Sequence, residues 1–351
     1  MNLEAFGNGW KFSASQNRKS SWQLYDNRHN SDIAVIGFAR LNGSSEADAI
    51  SEKCRFHGKL DNREVGVETQ NVFPFGGESI INRTFTLRDK LLEVCVDFKP
   101  GRGEIIRNIE LETISFDREF VKCQIIPAVP APGEKAELQT LDLAQDVIYE
   151  NAQPFAVLLL TDANNFQIEL GCGGDWWRML GAGATCWSIQ KSNGVLTVKR
   201  QVVALSAEEE LQRRPWRFNY YIAWGRNSAP ATPADAEKLS CELPDNGCFR
   251  APAVRKILRK MVRQQLEKVG NTILTLPDIQ GCDEAGHLER PGKAALRHWG
   301  LEELFALYSW GNRQLVDKGV LAMELPEDSL FRNMPSGRYL TGEPGECMLR
   351  D

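Results

Sequence analysis

A chain of 351 residues with 42% hydrophobic and 25% charged residues has enough apolar material for one large or two ordinary domains, which excludes intrinsic disorder. Its formal net charge of −5 offers no global attraction to nucleic acid or anionic lipid, so neither partner is expected. The longest strongly apolar run, FAVLLL at 155–160, is far too short to cross a bilayer.

The start, MNLEAFGNGWKFS, lacks a basic segment followed by an apolar one, as a secretory signal would show. Nine cysteines form an odd set with no Cys-x-x-Cys pair, which fits small buried thiols in a reducing compartment, and a cytoplasmic location is expected.

In chain order, period-two alternation is expected from about residue 31 to 225. In HGKLDNREVGVETQNVFPFGGES (57–79), Glu64, Gly66, Glu68 and Gln70 share one face if the segment is a strand, and a solvated edge strand is its simplest form. In LLEVCVDF, Leu92, Val94, Val96 and Phe98 oppose Glu93, Cys95 and Asp97. Turns are expected at Arg88-Asp89-Lys90 and at Pro100-Gly101-Arg102-Gly103, the latter leading into a strand over EIIRNIELETI. In FQIEL, Phe166, Ile168 and Leu170 oppose Gln167 and Glu169. Asn193-Gly194, between WSIQK and VLTVKRQVV, is a strong type I′ hairpin signal, because both central positions need positive φ. In RFNYYIAW, Phe218, Tyr220, Ile222 and Trp224 oppose Arg217, Asn219 and Tyr221. Many strands without intervening helices predict a mainly β fold, a large antiparallel β-sandwich bigger than an immunoglobulin domain.

The character changes after Gly225. A Pro/Ala-rich connector precedes AVRKILRKMVRQQLEKVG, whose apolar stripe (Val254, Ile257, Leu258, Met261, Val262, Leu266, Val269) predicts a helix with a basic opposite face. A short strand, NTILTL, and a second helix at about 301–316 follow. Residues 1–240 are therefore expected to form the sandwich domain, and 241–351 a short α-helical extension packed on it. The helix cations face water or an acidic body more readily than phosphates, since no aromatics interleave them.

Three stretches carry candidate chemistry. GCGGDWWRMLGAGATCWS (171–188) lacks the Gly-x-Gly-x-x-Gly or Gly-Lys-Ser/Thr spacing of a phosphate loop. Its Asp175, Trp176, Trp177 and Arg178 instead form either a bulged plug of the sandwich core or an aromatic platform with polar grips for a sugar ring. Adjacent strand residues point to opposite faces, so one tryptophan in each role is the economical arrangement. In the 57–79 stretch, Glu64 and Glu68 lie roughly 13 Å apart along a strand, beyond the separation of about 5 to 9.5 Å used by paired glycosidase carboxyls. Glu68 therefore needs a partner from elsewhere, such as Glu78 or Asp175, with His57 as a proton-transfer group. The loop at 277–292 gathers Asp278, Cys282, Asp283, Glu284, His287 and Glu289 without zinc-finger spacing, so no metal is expected. No cofactor fingerprint, nucleophile elbow, HExxH or kinase signature occurs.

The strand series, with FTLRDKLLEVCVDFKPGRGE as a hairpin, a Trp-rich middle and PWRFNYYIAWG closing it, resembles the β-supersandwich of the galactose-mutarotase-like superfamily, which also occurs as a domain of glycoside hydrolases and polysaccharide lyases. The resemblance covers residues 31–225 and implies a carbohydrate ligand in a concave sheet face, with a histidine and a carboxylate as catalytic groups. The residues themselves offer Glu68, Asp175 and His57 for acid/base work. Trp176 or Trp177 would stack on the ring, Arg178 or Arg217 would grip a polar or acidic group, and Glu78 would complete the set. A carbohydrate-binding or carbohydrate-active protein is thus expected, and a non-catalytic structural or protein-interaction sandwich is the alternative.

Overall fold

The computed structural model describes residues 2–7, 10–15, 22–27, 30–58, 64–73, 78–88, 90–102, 105–127, 137–151, 155–173, 187–208, 211, 215–226, 237–240, 256–257, 259–260, 263–264, 272–275, 321–324 and 334–341. These belong to two compact units, 1–126 with 138–224, and 127–137 with 225–351.

The first unit contains β1 (Asn2–Gly7), β2 (Trp10–Ser15), β3 (Trp22–Asp26), β4 (Ser31–Ile36), β5 (Arg40–Leu41), β6 (Ser44–Ser45) and a 3-10 turn at Glu46–Asp48. Then come β7 (Ile50–Gly58), β8 (Glu64–Val72), β9 (Ile80–Arg88), β10 (Leu91–Lys99), β11 (Asn108–Glu110), β12 (Ile114–Phe116) and β13 (Lys122–Pro127). The series closes with β14 (Gln139–Leu141), β15 (Val147–Asn151), β16 (Phe155–Thr161), β17 (Phe166–Gly173), β18 (Trp187–Ser192), β19 (Val195–Ala204) and β20 (Trp216–Arg226). Their paired strands are antiparallel, in one sheet ordered β14-β13-β16-β17-β20-β10-β9-β8-β7 and another ordered β1-β2-β3-β4-β12-β19-β11-β5-β6, with β18 joining β15 to β19.

Alternation builds the interior between these sheets. The inward sets foreseen from the sequence are buried: Leu92, Val94, Val96 and Phe98 on β10, Phe166, Ile168 and Leu170 on β17, and Phe218, Tyr220, Ile222 and Trp224 on β20. Rings from opposite sheets meet there, with Phe85 at 5.0 Å from Phe12 and 5.3 Å from Trp22. The fold is the antiparallel β-sandwich that the alternation implies. At the β18–β19 hairpin Asn193 and Gly194 take φ 51 and 83, as a type I′ turn requires.

The structure departs from the sequence expectations in four places. Strands begin at Asn2, not near residue 31. In β3 the inward set is Trp22, Leu24 and Asp26, so a buried carboxylate, bound by Trp224 Nε1 at 3.1 Å, interrupts the apolar signal. The second departure is that β8 is an inner strand, with β7 at the sheet edge. Third, EIIRNIELETI is split into β11 and β12, because Glu112 turns into the core between them and Leu111 N–H bonds the Arg200 carbonyl at 2.9 Å. The fourth is a parallel sheet in the C-terminal unit.

That buried Glu112 belongs to an ion network inside the sandwich. Arg83 on β9 pairs with Glu46 and, at 3.3 Å, with Glu112, all three side chains being fully buried. Asn71 donates to Glu46 at 2.5 Å, and the Arg83 guanidinium lies 4.7 Å from the centre of the Trp22 ring. Burial opposes the charge on Arg83, but Glu46 and Glu112 outweigh it and raise its pKa. Burial likewise pushes Glu112 up, yet Arg83 and Arg200 hold it below its ordinary range. The charges are thus kept by mutual pairing.

In the C-terminal unit β21 (Glu237–Ser240), β22 (Thr272–Thr275) and β23 (Leu321–Glu324) form a parallel sheet in that order. The helix α1 (Pro335–Thr341) packs against β23. Parallel strands need crossover connections, and the helical residues Lys256, Ile257, Arg259, Lys260, Arg263 and Gln264 lie within the one between β21 and β22. Ile257 is half-buried and the other five are exposed, matching the basic outer face foreseen for that helix. The extension is therefore not purely helical; NTILTL reads as a lone strand because parallel partners lie far away in sequence. The second helix expected at 301–316 lies outside the described residues. Among the described residues no helix is long and apolar enough to cross a membrane.

Candidate functional site

Strand alternation that sends one set of side chains into the core sends the other to the opposite face of the nine-stranded sheet. There the registers line up three rows of directly opposed positions across β7, β8, β9, β10 and β20. One row runs His57, Gly66, Thr86, Glu93, Tyr221. The next runs Arg55, Glu68, Thr84, Cys95, Asn219. The third runs Lys53, Gln70, Asn82, Asp97, Arg217. Opposed Cβ atoms in such rows are about 4.5–5.5 Å apart, so the second and third rows set polar side chains next to one another across β8, β9, β10 and β20.

Shielding rises towards β17 along the first two rows, while the third ends at exposed Arg217. Glu68 on β8 is exposed, and Thr84, Cys95 and Asn219 are half-buried. Tyr221 and, beyond it on β17, Glu169 are fully buried, with the Tyr221 hydroxyl donating to Glu169 Oε1 at 2.6 Å. Gly171, two residues further along β17, makes this possible: a Cβ there would overlap Cε1 and Cζ of the Tyr221 ring. The glycine that opens the 171–188 stretch thus gives a tyrosine room to lie across the sheet.

In the third row Arg217 donates to both carboxylate oxygens of Asp97, from Nε at 2.7 Å and from Nη2 at 3.1 Å. The Cys95 thiol sits 4.0 Å from Asp97 Oδ2. Hydrogen bonding to Asp97 and the nearby Cys95 raise the Arg217 pKa. Two amide oxygens in adjacent rows, Gln70 Oε1 and Asn219 Oδ1, are shielded from solvent and accept no hydrogen bond among the described residues.

The sequence-predicted residues fare differently. Glu68 and Arg217 are on this face, and the His57 backbone position heads its first row. His57 lies diagonally across from Glu68, a relation that sets Cα atoms about 7–8 Å apart. Glu78 is exposed at φ 66 between β8 and β9, and Glu68 is four positions before the end of β8, about 13 Å from that end. Asp175, Trp176, Trp177 and Arg178 lie outside the described residues, as does the 277–292 loop with Cys282 and His287. Among the described residues no cluster of His, Cys, Asp and Glu has metal-holding geometry. What sequence reasoning missed is the Glu169–Tyr221 pair and the Asp97–Arg217 pair. The signal was present, since all four were already assigned to the face opposite the apolar set.

The eleven-stranded sheet carries a separate, open cleft of about 540 Å³ beside its β5–β6 edge, lined by Arg40, Asn42, Ile105, Arg107 and Glu110 among others. Asn42 is committed there to the backbone, donating to the Ile105 carbonyl at 2.8 Å and accepting from the Arg107 and Asn108 amides at 3.0 and 3.1 Å.

No known protein family matches the sequence, and no curated protein matches it. Solved structures do. An α-N-acetylgalactosaminidase from Bifidobacterium bifidum, in complex with GalNAc, matches 92% of this chain at 12% identity and TM-score 0.44. A galactose mutarotase-like protein from Lactobacillus casei matches 64% of the chain at 12% identity and TM-score 0.37, over its own full length. A GH36 α-galactosidase from Geobacillus stearothermophilus matches 95% at 9% identity and TM-score 0.40. The chain spans 58% of the first of these and 57% of the last. These likenesses are too distant to fix family or function, which is argued from the sheet face itself.

Proposed function

We propose that the outward face of the nine-stranded sheet binds a carbohydrate or a sugar-derived small molecule. The observation that carries this is the row geometry of the face, which sets hydroxyl, carboxylate and amide side chains at directly opposed positions on β8, β9, β10 and β20. Such a face repeats donors and acceptors at the inter-strand interval, and the hydroxyls of a sugar, which donate and accept at once, match it. The gradient from exposed Glu68 to buried Glu169 supports the same view, giving the face an open approach and a closed end.

In a catalytic form, mutarotase-like or glycoside-hydrolase-related, Glu68 serves as acid or base with His57 as its diagonal neighbour in proton transfer. Asp175 supplies the second carboxylate, since Glu78, in the β8–β9 turn about 13 Å along β8 from Glu68, is beyond the separation of a carboxyl pair. Trp176 or Trp177 stacks on the ring, and Arg178 and Arg217 hold its polar groups. A cytoplasmic location belongs to the same proposal and is supported by two cysteines that stand as thiols, not disulfides, among the described residues, Cys95 and Cys123.

Thermal-shift and calorimetric titration with neutral mono- and oligosaccharides tests it. Binding should weaken by about tenfold or more in Asn219→Ala and Glu68→Ala, the loss of one good hydrogen bond to ligand. Trp177→Ala should weaken it as well. Bound sugar should also slow alkylation of Cys95, read by peptide mass spectrometry. Stabilisation by no sugar, or binding indifferent to these substitutions and to Cys95 labelling, would overturn the proposal.

A further inference from the structure

We infer that the Asp97–Arg217 pair sets the charge of the ligand, fitting the outward face to an uncharged polyhydroxylated sugar and against uronates and sugar phosphates. The inference rests on the carbohydrate reading of that face and adds which class of sugar it takes.

The pair is not explained by stability. Its side chains are 65% and 37% exposed, and exposed pairs of this kind contribute little to folding. Its location is specific, however: it closes the third row beside Asn82 and Gln70, and Cys95 and Asn219 flank it in the next row. An arginine alone at that position would be a planar, permanently charged fork suited to a carboxylate or phosphate. Asp97 occupies that fork with both of its oxygens, through Nε and Nη2. An incoming anion would have to displace Asp97 or lie against it, and like charges at contact distance disfavour binding. What stays available is neutral overall: the Nη1 hydrogens of Arg217 as donors and the outer lone pairs of Asp97 as acceptors. A hydroxyl, which donates and accepts at once, matches such a pair.

The experiment compares D-galactose with D-galacturonate, which differ only in the carboxylate at C6, by calorimetry on the full chain and on Asp97→Asn and Arg217→Gln. The unsubstituted protein should favour galactose. Asp97→Asn leaves the arginine fork open, and should raise affinity for galacturonate by at least about tenfold, the effect of one charge-assisted hydrogen bond. That gain should fade with added salt, as an exposed charge contact does. Arg217→Gln should weaken galactose without any gain for galacturonate, and it gives a second readout if Asp97→Asn folds poorly. Galacturonate bound as well as galactose by the unsubstituted protein, or an unchanged preference in Asp97→Asn, overturns the inference while leaving carbohydrate binding intact. Failure of any neutral sugar to bind the unsubstituted chain removes both.

Discussion

The two faces of the nine-stranded sheet use the same residue types for opposite ends. On the inner face Arg83 is buried against Glu46, Glu112 and the Trp22 ring, and Tyr220 lies under Arg200, whose guanidinium is 4.2 Å from the ring centre. On the outer face Arg217 is paired with Asp97 near solvent, and Tyr221 bonds Glu169. Tyr220 and Tyr221 are neighbours in sequence and belong to different environments, because consecutive strand residues point to opposite sides. Burial and the adjacent Glu112 raise the Tyr220 pKa well above its ordinary value, so that hydroxyl stays protonated. Inside, charge is held by mutual pairing against the cost of desolvation; outside, Arg217 and Asp97 pair within reach of solvent.

The inner network gives the largest expected effect. Arg83→Met removes the cation between two buried glutamates, and leaving such charges uncompensated costs about 3–5 kcal/mol. Urea unfolding should show this as a lowered midpoint with an unchanged slope. A loss under about 1 kcal/mol would mean that water enters the site and the network is not sealed.

A smaller effect is expected on the outer face where it is closed over. Gly171→Ala forces the Tyr221 ring off the sheet, an overpacking that costs about 1–3 kcal/mol. Tyr221→Phe keeps the ring and deletes the hydroxyl that donates to buried Glu169, at about 1–3 kcal/mol. Combining the two should cost less than their sum, since moving the ring already breaks the bond. Strict additivity in denaturation would show that ring position and hydrogen bond are independent.

Most of the fold was legible because alternation is a local signal. The strands β10, β17 and β20 each declare their inward set within seven or eight residues, and Asn193-Gly194 declares its turn. The Asn42-Gly43 turn between β5 and β6, at φ 46 and 86, carried the same dipeptide signal in a stretch whose strands are only two residues long. Alternation failed where polar residues join the inward set: Asp26 masks β3, and Glu112 hides the break between β11 and β12. The network was hidden for a different reason. Arg83 among Ile81, Phe85 and Leu87, and Arg200 among Leu196, Val198 and Val202, are arginines on apolar faces, but their partners come from segments far away in sequence. The candidate face was half legible on the same grounds: its residues were already on the correct side, and only strand order could bring Glu68, Asn219 and Arg217 into adjoining rows.

The smallest expected effect isolates the contrast between the faces. Arg217→Met makes on the outer side of the sheet the change that Arg83→Met makes on its inner side, taking a guanidinium away from its carboxylate partner. Because water can solvate Asp97 once the pair is broken, the stability cost should be about 0–1 kcal/mol. The same urea titration measures it, and 1 M salt should abolish most of whatever is lost. A cost approaching that of Arg83→Met would mean that the outer pair is held in a dry, structural setting. Such a pair could not exchange partners with a hydroxyl, so a stability measurement made without any sugar bears directly on whether this face is built to meet one.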